Sequence, residues 1–265
     1  VLYLNAFVRK KVRNPHNETF EKPAIIIANH TSFLDSLVMG MVYPNVVYLV
    51  NDWVYKSPIF GKAIQSAGFY RVSEGVDNSI DHLKKRVEMG FSLMIFPEGT
   101  RSHSNAVQRF HKGAFFLAET LQLDVVPVYI HGNSETIPKG DYIIYDGHII
   151  ATVGKRILHD DASFGATYAQ RTKAISKHFK AEFAQIRTEL EDVDYFKKKV
   201  FWAYLYKFPY VVKAVKADYK EYRKFYFEVN QHLPSEGGIH HIADDYGQLN
   251  MLLTLSISKS RMLYF

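Results

Sequence analysis

The 265-residue chain contains no cysteine, which removes disulfides and cysteine-based metal sites from consideration. It has no signal-peptide pattern at its start. Its opening segment VLYLNAFVRKKVRN, Val1 to Asn14, is an apolar run followed by a basic cluster, too short to span a bilayer. Charge of one sign is only mildly in excess: 33 Lys and Arg against 27 Asp and Glu give +6. That balance suits an anionic membrane surface or acidic substrates and is too weak to argue for nucleic acid. Twelve histidines are present. Yet His30, His103, His111 and His131, which fall near predicted strand ends or the loops after them, lack the ligand spacing of a zinc site. No metal is expected.

Apolar residues, by contrast, are plentiful, at 47% with 15% aromatic, enough for a substantial core. One domain of ordinary size plus a smaller piece is the expectation for this length. The chain starts at Val1 rather than Met and stops at Phe265 inside an apolar run, and it reads as a fragment of a longer protein. Val1 to Asn14 reads either as the tail of an upstream helix leaving a membrane, its positive charges cytoplasmic, or as a surface helix or strand packed on the domain.

The organising stretch is NHTSFLD, Asn29 to Asp35, directly after the apolar run AIIIA, Ala24 to Ala28. The Ile and Ala run behind Pro23 predicts a buried strand. Thr31 or Ser32 is a candidate cap for a helix through Phe33, Leu34, Leu37, Val38 and Met41. His30 then stands at a strand-to-helix turn, where ligands bind in open α/β sheets, with Asp35 on the helix beyond it. A carboxylate beside an imidazole can fix its tautomer and stabilise the imidazolium formed when it takes a proton. Such a pair suits deprotonating a substrate hydroxyl. A His–Asp pair at this spacing is also common as an ordinary contact.

A second stretch, SLMIFPEGTRS from Ser92 to Ser102, predicts a strand ending in a polar turn. Glu98, Gly99, Thr100 and Arg101 would emerge at the same edge of a parallel sheet. Glycine lets the backbone approach a ligand, and arginine offers a planar fork of donors suited to phosphate. A base at one strand end and an anion clamp at another describe transfer chemistry on a phosphorylated substrate. Alone, this segment also reads as a turn with an exposed ion pair.

NHTSFLD together with FPEGTRS resembles the glycerolipid acyltransferases, the 1-acylglycerol-3-phosphate acyltransferase family, whose signature is H-x-x-x-x-D followed by F-P-E-G-T-R. GFYRV, Gly68 to Val72, resembles the family's second block and VPVYI, Val126 to Ile130, its fourth, so four blocks stand in order over residues 20–157. The resemblance implies that His30 is the general base, oriented by Asp35, and that the acceptor hydroxyl attacks the thioester of an acyl donor directly, without an acyl-enzyme. It implies that Glu98, Gly99, Thr100 and Arg101 form the block binding the acceptor phosphate, with Arg71 and Lys112 in the same role. Asn29 and Thr31 would line the site and Pro127 would shape its wall. Trp53, Tyr55, Ile59 and Phe60 are candidates for an acyl tunnel or, equally, for core. VGKRI, Val153 to Ile157, departs from the family's usual G-x-P-I. The donor would be acyl-CoA or acyl carrier protein, with no further cofactor, and the acceptor lysophosphatidic acid or a related lysolipid. A cytoplasmic membrane face would be the place of work.

The implied fold is α/β, a mixed, mostly parallel sheet flanked by helices, over residues 1–192. Helices are expected at Ser79–Met89, Gly113–Leu121 and Thr167–Leu190, strands at Val46–Asn51 and Asp124–Gly132, and a hairpin about Asp146 and Gly147. Residues 193–229 form a basic aromatic helical linker, broken or kinked at Pro209, that reads as a membrane-surface helix or as an interdomain helix buried against protein. Residues 230–265 have a strand–loop–helix–strand outline. They resemble the first motif of S-adenosylmethionine-dependent methyltransferases, with Ala243 and Asp245 where glycines are usual and His241 in place of the acidic residue. This reads as the truncated, degenerate start of a second α/β unit. Competing functions are an acyltransferase for a non-glycerol lipid or pigment precursor, a lipid-binding module without activity, and a methyltransferase whose site lies further on.

Overall fold

A computed structural model of the chain describes residues 8–32, 34–50, 55–56, 70–71, 76–102, 106–137, 147–232, 238–240, 242, 244–256 and 262–264. The chain divides into two compact units, Val1–His103 with Val107–Phe183, and Ser104–Ala106 with Ala184–Phe265.

In the first unit, the strands are β1 (Val8–Arg13), β2 (Ala24–Ala28), β3 (Val46–Val50), β4 (Tyr70–Arg71), β5 (Ser92–Ile95), β6 (Asp124–His131) and β7 (Gly147–Val153). Among the described residues they form one sheet in the order β1-β7-β6-β2-β5-β3-β4. Every pairing is parallel except β6 with β7. The mixed, mostly parallel sheet expected from the sequence is therefore present. AIIIA forms β2 near its centre, and all five residues are buried, as a parallel strand covered on both faces requires.

The covering helices are α1 (Asp35–Val42), α2 (Val76–Glu88), α3 (Gly113–Thr120), the short α4 (Asn133–Thr136) and α5 (Tyr168–Leu190). Alternation along the strands sorts the core. Ile26, Met94, Val128 and Ile130 join Val38 and Met39 of α1 in one buried cluster. Tyr129, pointing the opposite way from its neighbours, meets Phe179 of α5 at 4.5 Å between ring centroids. Phe179 also meets Phe110 edge-on at 5.3 Å.

One local expectation changes. Helix α1 begins at Asp35, its cap position is Leu34, and no side chain caps it. Ser32 Oγ instead donates to the Ile137 carbonyl at 2.8 Å, and Thr31 and Ser32 give their backbone N–H groups to Asp35. Val8–Arg13 is a strand on the sheet edge, so for these residues the packed-strand reading holds. The first arm of the hairpin about Asp146 lies outside the described residues. Its second arm is β7, laddered to β1 and β6.

Pro127 sits inside β6, where a missing N–H would normally break a central strand. It falls where the outer ladder is already interrupted, between the last β7 pair at Val153 and the isolated bridge of Val125 with Ile157. Its carbonyl still accepts Gly154 N–H at 2.8 Å.

The second unit contains α6 (Lys197–Ala203), α7 (Pro209–His232), α8 (Gln248–Ser256) and the parallel pair β8 (Gly238–His240) and β9 (Met262–Tyr264). Pro209 is the first residue of α7, where its fixed φ and missing N–H cost nothing. Residues 193–229, read from sequence as a linker, share a core with α8: Phe196, Val200, Val211, Val215 and Tyr219 pack with Leu252. Among the described residues no helix is long and apolar enough to cross a membrane.

Candidate active site

Because β2, β3, β4, β5 and β6 run parallel, the residues at their carboxyl ends gather at one edge of the sheet. Asn29 and His30 come after β2, the FPEGTR turn after β5, and Gly132 and Asn133 after β6.

Asn29 extends the β2–β6 ladder with its side chain. Its Nδ2 donates to the Ile130 carbonyl and its Oδ1 accepts Ile130 N–H, both at 2.8 Å. The residue is buried and acts as a clasp between two strand ends rather than as a wall of the site. Held this way, His30 brings its Nδ1 to 2.8 Å from Asp35 Oδ2.

Asp35 is wholly buried. Its Oδ2 also accepts Thr31 N–H at 2.7 Å and Ser32 N–H at 2.9 Å, and its Oδ1 accepts Asn133 Nδ2 at 2.5 Å. With the acceptor sites of the carboxylate taken up by N–H donors, the His30 contact is assigned with Nδ1–H donating, and Nε2 keeps its lone pair. The imidazole ring stacks on Phe96, 4.1 Å between centroids and 14° between planes, and its side chain remains 21% exposed. An imidazole with a fixed tautomer and a rigid platform is the result.

Glu98 holds the same residue from behind. Its Oε1 accepts the backbone N–H of His30 and its Oε2 that of Gln108, each at 2.7 Å. The His30 carbonyl in turn accepts Ser102 N–H at 2.7 Å. With 2% of its surface exposed, Glu98 ties the β5 turn to the end of β2. The resemblance groups it with the phosphate-binding residues, while this geometry gives it a positioning task, with one backbone N–H accepted by each carboxylate oxygen. Gly99 turns the chain at φ +69°, and a Cβ there would stand 3.1 Å from the His111 ring.

Thr100 is exposed, Arg101 half-buried, and Lys112 exposed just ahead of α3. Arg71 ends β4, opposite Val50. Three strand spacings separate β4 from β2, about 14 Å across the sheet. The side chain of Arg71 lies outside the described residues, as do Gly68, Phe69 and Val72 of its block and Trp53, Ile59 and Phe60 of the expected acyl tunnel. Thr31 is buried and contributes its backbone to Asp35.

Asn133 is a site residue that the sequence motifs do not mark. The one available signal is its place directly after β6, on the edge where the other site residues collect. Gly132 delivers it: at φ +89°, a Cβ on this residue would lie 1.9 Å from the His148 carbonyl oxygen. Among the described residues no group of three His, Asp or Glu side chains comes together as a metal site.

Comparison with known proteins agrees with this geometry. Residues 9–131 match the family model described as Acyltransferase. The chain is 30% identical over 142 residues to a chloroplastic 1-acyl-sn-glycerol-3-phosphate acyltransferase of Arabidopsis thaliana, covering 52% of this chain and 40% of the relative. It is 32% identical over 146 residues to the 1-acyl-sn-glycerol-3-phosphate acyltransferase of Saccharomyces cerevisiae, covering 52% and 48%. The chain thus spans less than half the length of either relative. Among solved structures, the 1-acyl-sn-glycerophosphate acyltransferase of Thermotoga maritima superposes with a TM-score of 0.56 over 67% of this chain and 73% of that one, at 21% identity, a likeness of fold. The Acyltransferase match runs from β1 to the end of β6 in the first unit.

Proposed function

We propose that the chain transfers a fatty acyl group from a thioester donor to the free hydroxyl of lysophosphatidic acid or a close lysolipid. One observation carries this reading: a base oriented by a fully buried, four-fold hydrogen-bonded carboxylate, at the shared edge of parallel strands. The similarity to 1-acyl-sn-glycerol-3-phosphate acyltransferases supports acyl transfer and this acceptor.

In this mechanism His30 Nε2 removes the hydroxyl proton as the hydroxyl oxygen attacks the thioester carbonyl. A C–O bond forms and the carbonyl electrons move onto oxygen. When they return, the C–S bond breaks and the leaving thiolate takes the proton from the His30 imidazolium. Asp35 stabilises that imidazolium without receiving its proton. Ser32, the serine closest in sequence to the base, is wholly buried and spends its hydroxyl on the Ile137 carbonyl, which supports direct attack over an acyl-enzyme. Arg101, with Arg71 and Lys112, would hold the acceptor phosphate, and Gly99 and Thr100 would let its oxygens approach the turn. Acyl-CoA and acyl carrier protein are both acidic and both suit the basic chain, and the reaction would run at the cytoplasmic face of a membrane.

The test is acyl transfer by the purified chain and by His30→Ala, with labelled acyl-CoA and acyl carrier protein as donors and lysophosphatidic acid as acceptor. Loss of about a hundredfold or more in the variant is expected. Equal turnover would remove His30 from the mechanism, and no turnover by folded parent would favour another acceptor or a binding module.

In the second unit, the parallel pairing of β8 and β9 on either side of α8 supports reading residues 230–265 as the opening of a methyltransferase-like unit. S-adenosylmethionine binding by a longer chain is its test.

A further inference from the structure

The second unit spends its aromatic residues unevenly. Phe196, Val200, Val211, Val215 and Tyr219 are buried in its core. From the turn after α6 into the first turn of α7, however, Leu205 is 57% exposed, Tyr206 96%, Phe208 69% and Tyr210 64%. These four residues fall within six positions and form a single apolar tip.

The tip is not a loose loop. Tyr204, Leu205 and Lys207 donate their N–H groups to the carbonyls of Phe201, Trp202 and Tyr204. The Tyr204 hydroxyl is anchored on the Tyr246 carbonyl at 2.8 Å. Pro209 then fixes the start of α7. The Phe208 and Tyr210 rings stack on one another, 5.8 Å apart and 10° from parallel. Ordered backbone beneath exposed rings means that little conformational entropy is lost when something covers them.

Charge indicates what that is. Residues 195–217 hold six lysines and no Asp or Glu. Lys207 stands in the tip itself, and the exposed Lys213 and Lys216 lie beyond it on α7. Tyr206 and Tyr210 each have an apolar body and a polar end, and with exposed lysines beside them in the sequence they match the headgroup level of an anionic bilayer, where Tyr and Lys settle together. An apolar protein groove would not need the unbroken positive charge.

We infer that residues 205–210 are a lipid-docking tip, which inserts Leu205, Tyr206 and Phe208 into an anionic membrane surface while Lys207, Lys213 and Lys216 pair with lipid phosphates. The choice of a lipid surface rests on the acyl-transfer reading, which makes the acceptor a membrane lipid. Docking then depends on two separable contributions, burial of apolar rings and a screened attraction that salt weakens.

The experiment is co-sedimentation of the full chain with phosphatidylcholine vesicles, with and without phosphatidylglycerol. Three variants are compared: Tyr206→Ser/Phe208→Ser, Lys213→Gln/Lys216→Gln, and the conservative Tyr206→Trp. The parent should partition onto phosphatidylglycerol vesicles. The serine pair should lose about tenfold or more. The glutamine pair should lose its preference for phosphatidylglycerol, and Tyr206→Trp should bind like the parent. Far-ultraviolet circular dichroism should be the same for all.

Equal partitioning of the serine pair and the parent overturns the tip. So does a dimer in sedimentation velocity that the serine pair dissociates without any change in vesicle binding, because the tip would then face a second copy. Turnover on a short-chain, monomeric lysolipid separates the two readings. Normal turnover with tip-independent binding defeats the tip alone. Tip-dependent binding without turnover on any acceptor defeats the acyl-transfer reading alone.

Discussion

Asn133 donates its side-chain amide to Asp35 Oδ1 at 2.5 Å, from a residue 98 positions further along the chain. Both residues have no exposed surface. The carboxylate that orients His30 is therefore itself oriented by the residue that opens α4, just beyond the neighbouring strand β6. Asn133→Ala would leave Oδ1 buried without a donor, at a cost of about 1–3 kcal/mol. Its kcat should fall about tenfold or more with KM nearly unchanged, because Asn133 acts on the base through Asp35. Asn133→Asp, which sets two carboxylates against each other, should be worse than Ala. Steady-state kinetics on both variants check this, and a rise in KM alone would refute it.

Glu98 separates two roles that the FPEGTR block leaves joined. If it is a brace, Glu98→Ala should lower stability by about 1–3 kcal/mol, because the N–H groups of His30 and Gln108 lose their acceptor. Glu98→Gln should recover part of that loss. Urea unfolding reads the effect. A variant as stable as the parent, with KM raised only for phosphate-bearing acceptors, would return Glu98 to the substrate.

Gly132 carries a steric prediction. Its φ is +89°, and the His148 carbonyl oxygen would stand 1.9 Å from a Cβ at this position, which leaves no room for alanine. Gly132→Ala should cost about 3 kcal/mol or more and displace Asn133 with it. Denaturant titration measures the first effect and loss of turnover at a temperature where the variant is folded measures the second.

Acid should act through a separate ion cluster in the first unit. Arg156 forks onto both Glu18 oxygens, at 2.8 and 2.9 Å, and reaches Asp124 at 3.2 Å. The Arg156 hydrogen bond holds the Glu18 carboxyl below its ordinary value of 4.5, against partial burial. For Asp124, burial pushes upward, but hydrogen bonds from His159 and Arg156 together carry it below 3.8. Depressed carboxyl values contribute stability above the unfolded values, and it is lost as pH falls through the folded ones. The urea midpoint should therefore be flat from neutral pH to about 4.5 on this account and decline below it. Arg156→Met should lower the neutral plateau and flatten the acid decline. An unchanged acid slope in that variant would show that other carboxylates set it.

Much of this architecture is legible in short stretches of sequence. AIIIA announces a buried strand because β-branched residues flanked by polar turns have few other uses, and it forms β2. The helical periods of Ser79–Met89 and Thr167–Leu190 correspond to α2 and α5 within a few residues. The start of α1 is less legible, because Thr31 and Ser32 have the chemistry of capping residues. A tertiary partner, the Ile137 carbonyl 105 positions away, takes the Ser32 hydroxyl instead.

Local sequence is enough to specify the strand that carries His30, the spacing that puts Asp35 within reach of it, and the glycine that bends the chain after Phe96. These depend on periodicity and on φ, which neighbouring residues set. The fold alone makes Glu98 the brace of His30, Asn29 the clasp on β6 and Asn133 the last donor around Asp35. Each depends on hydrogen bonds between residues 68 to 101 positions apart. Their direction depends on which strands lie side by side, and no local pattern encodes the order β6-β2-β5.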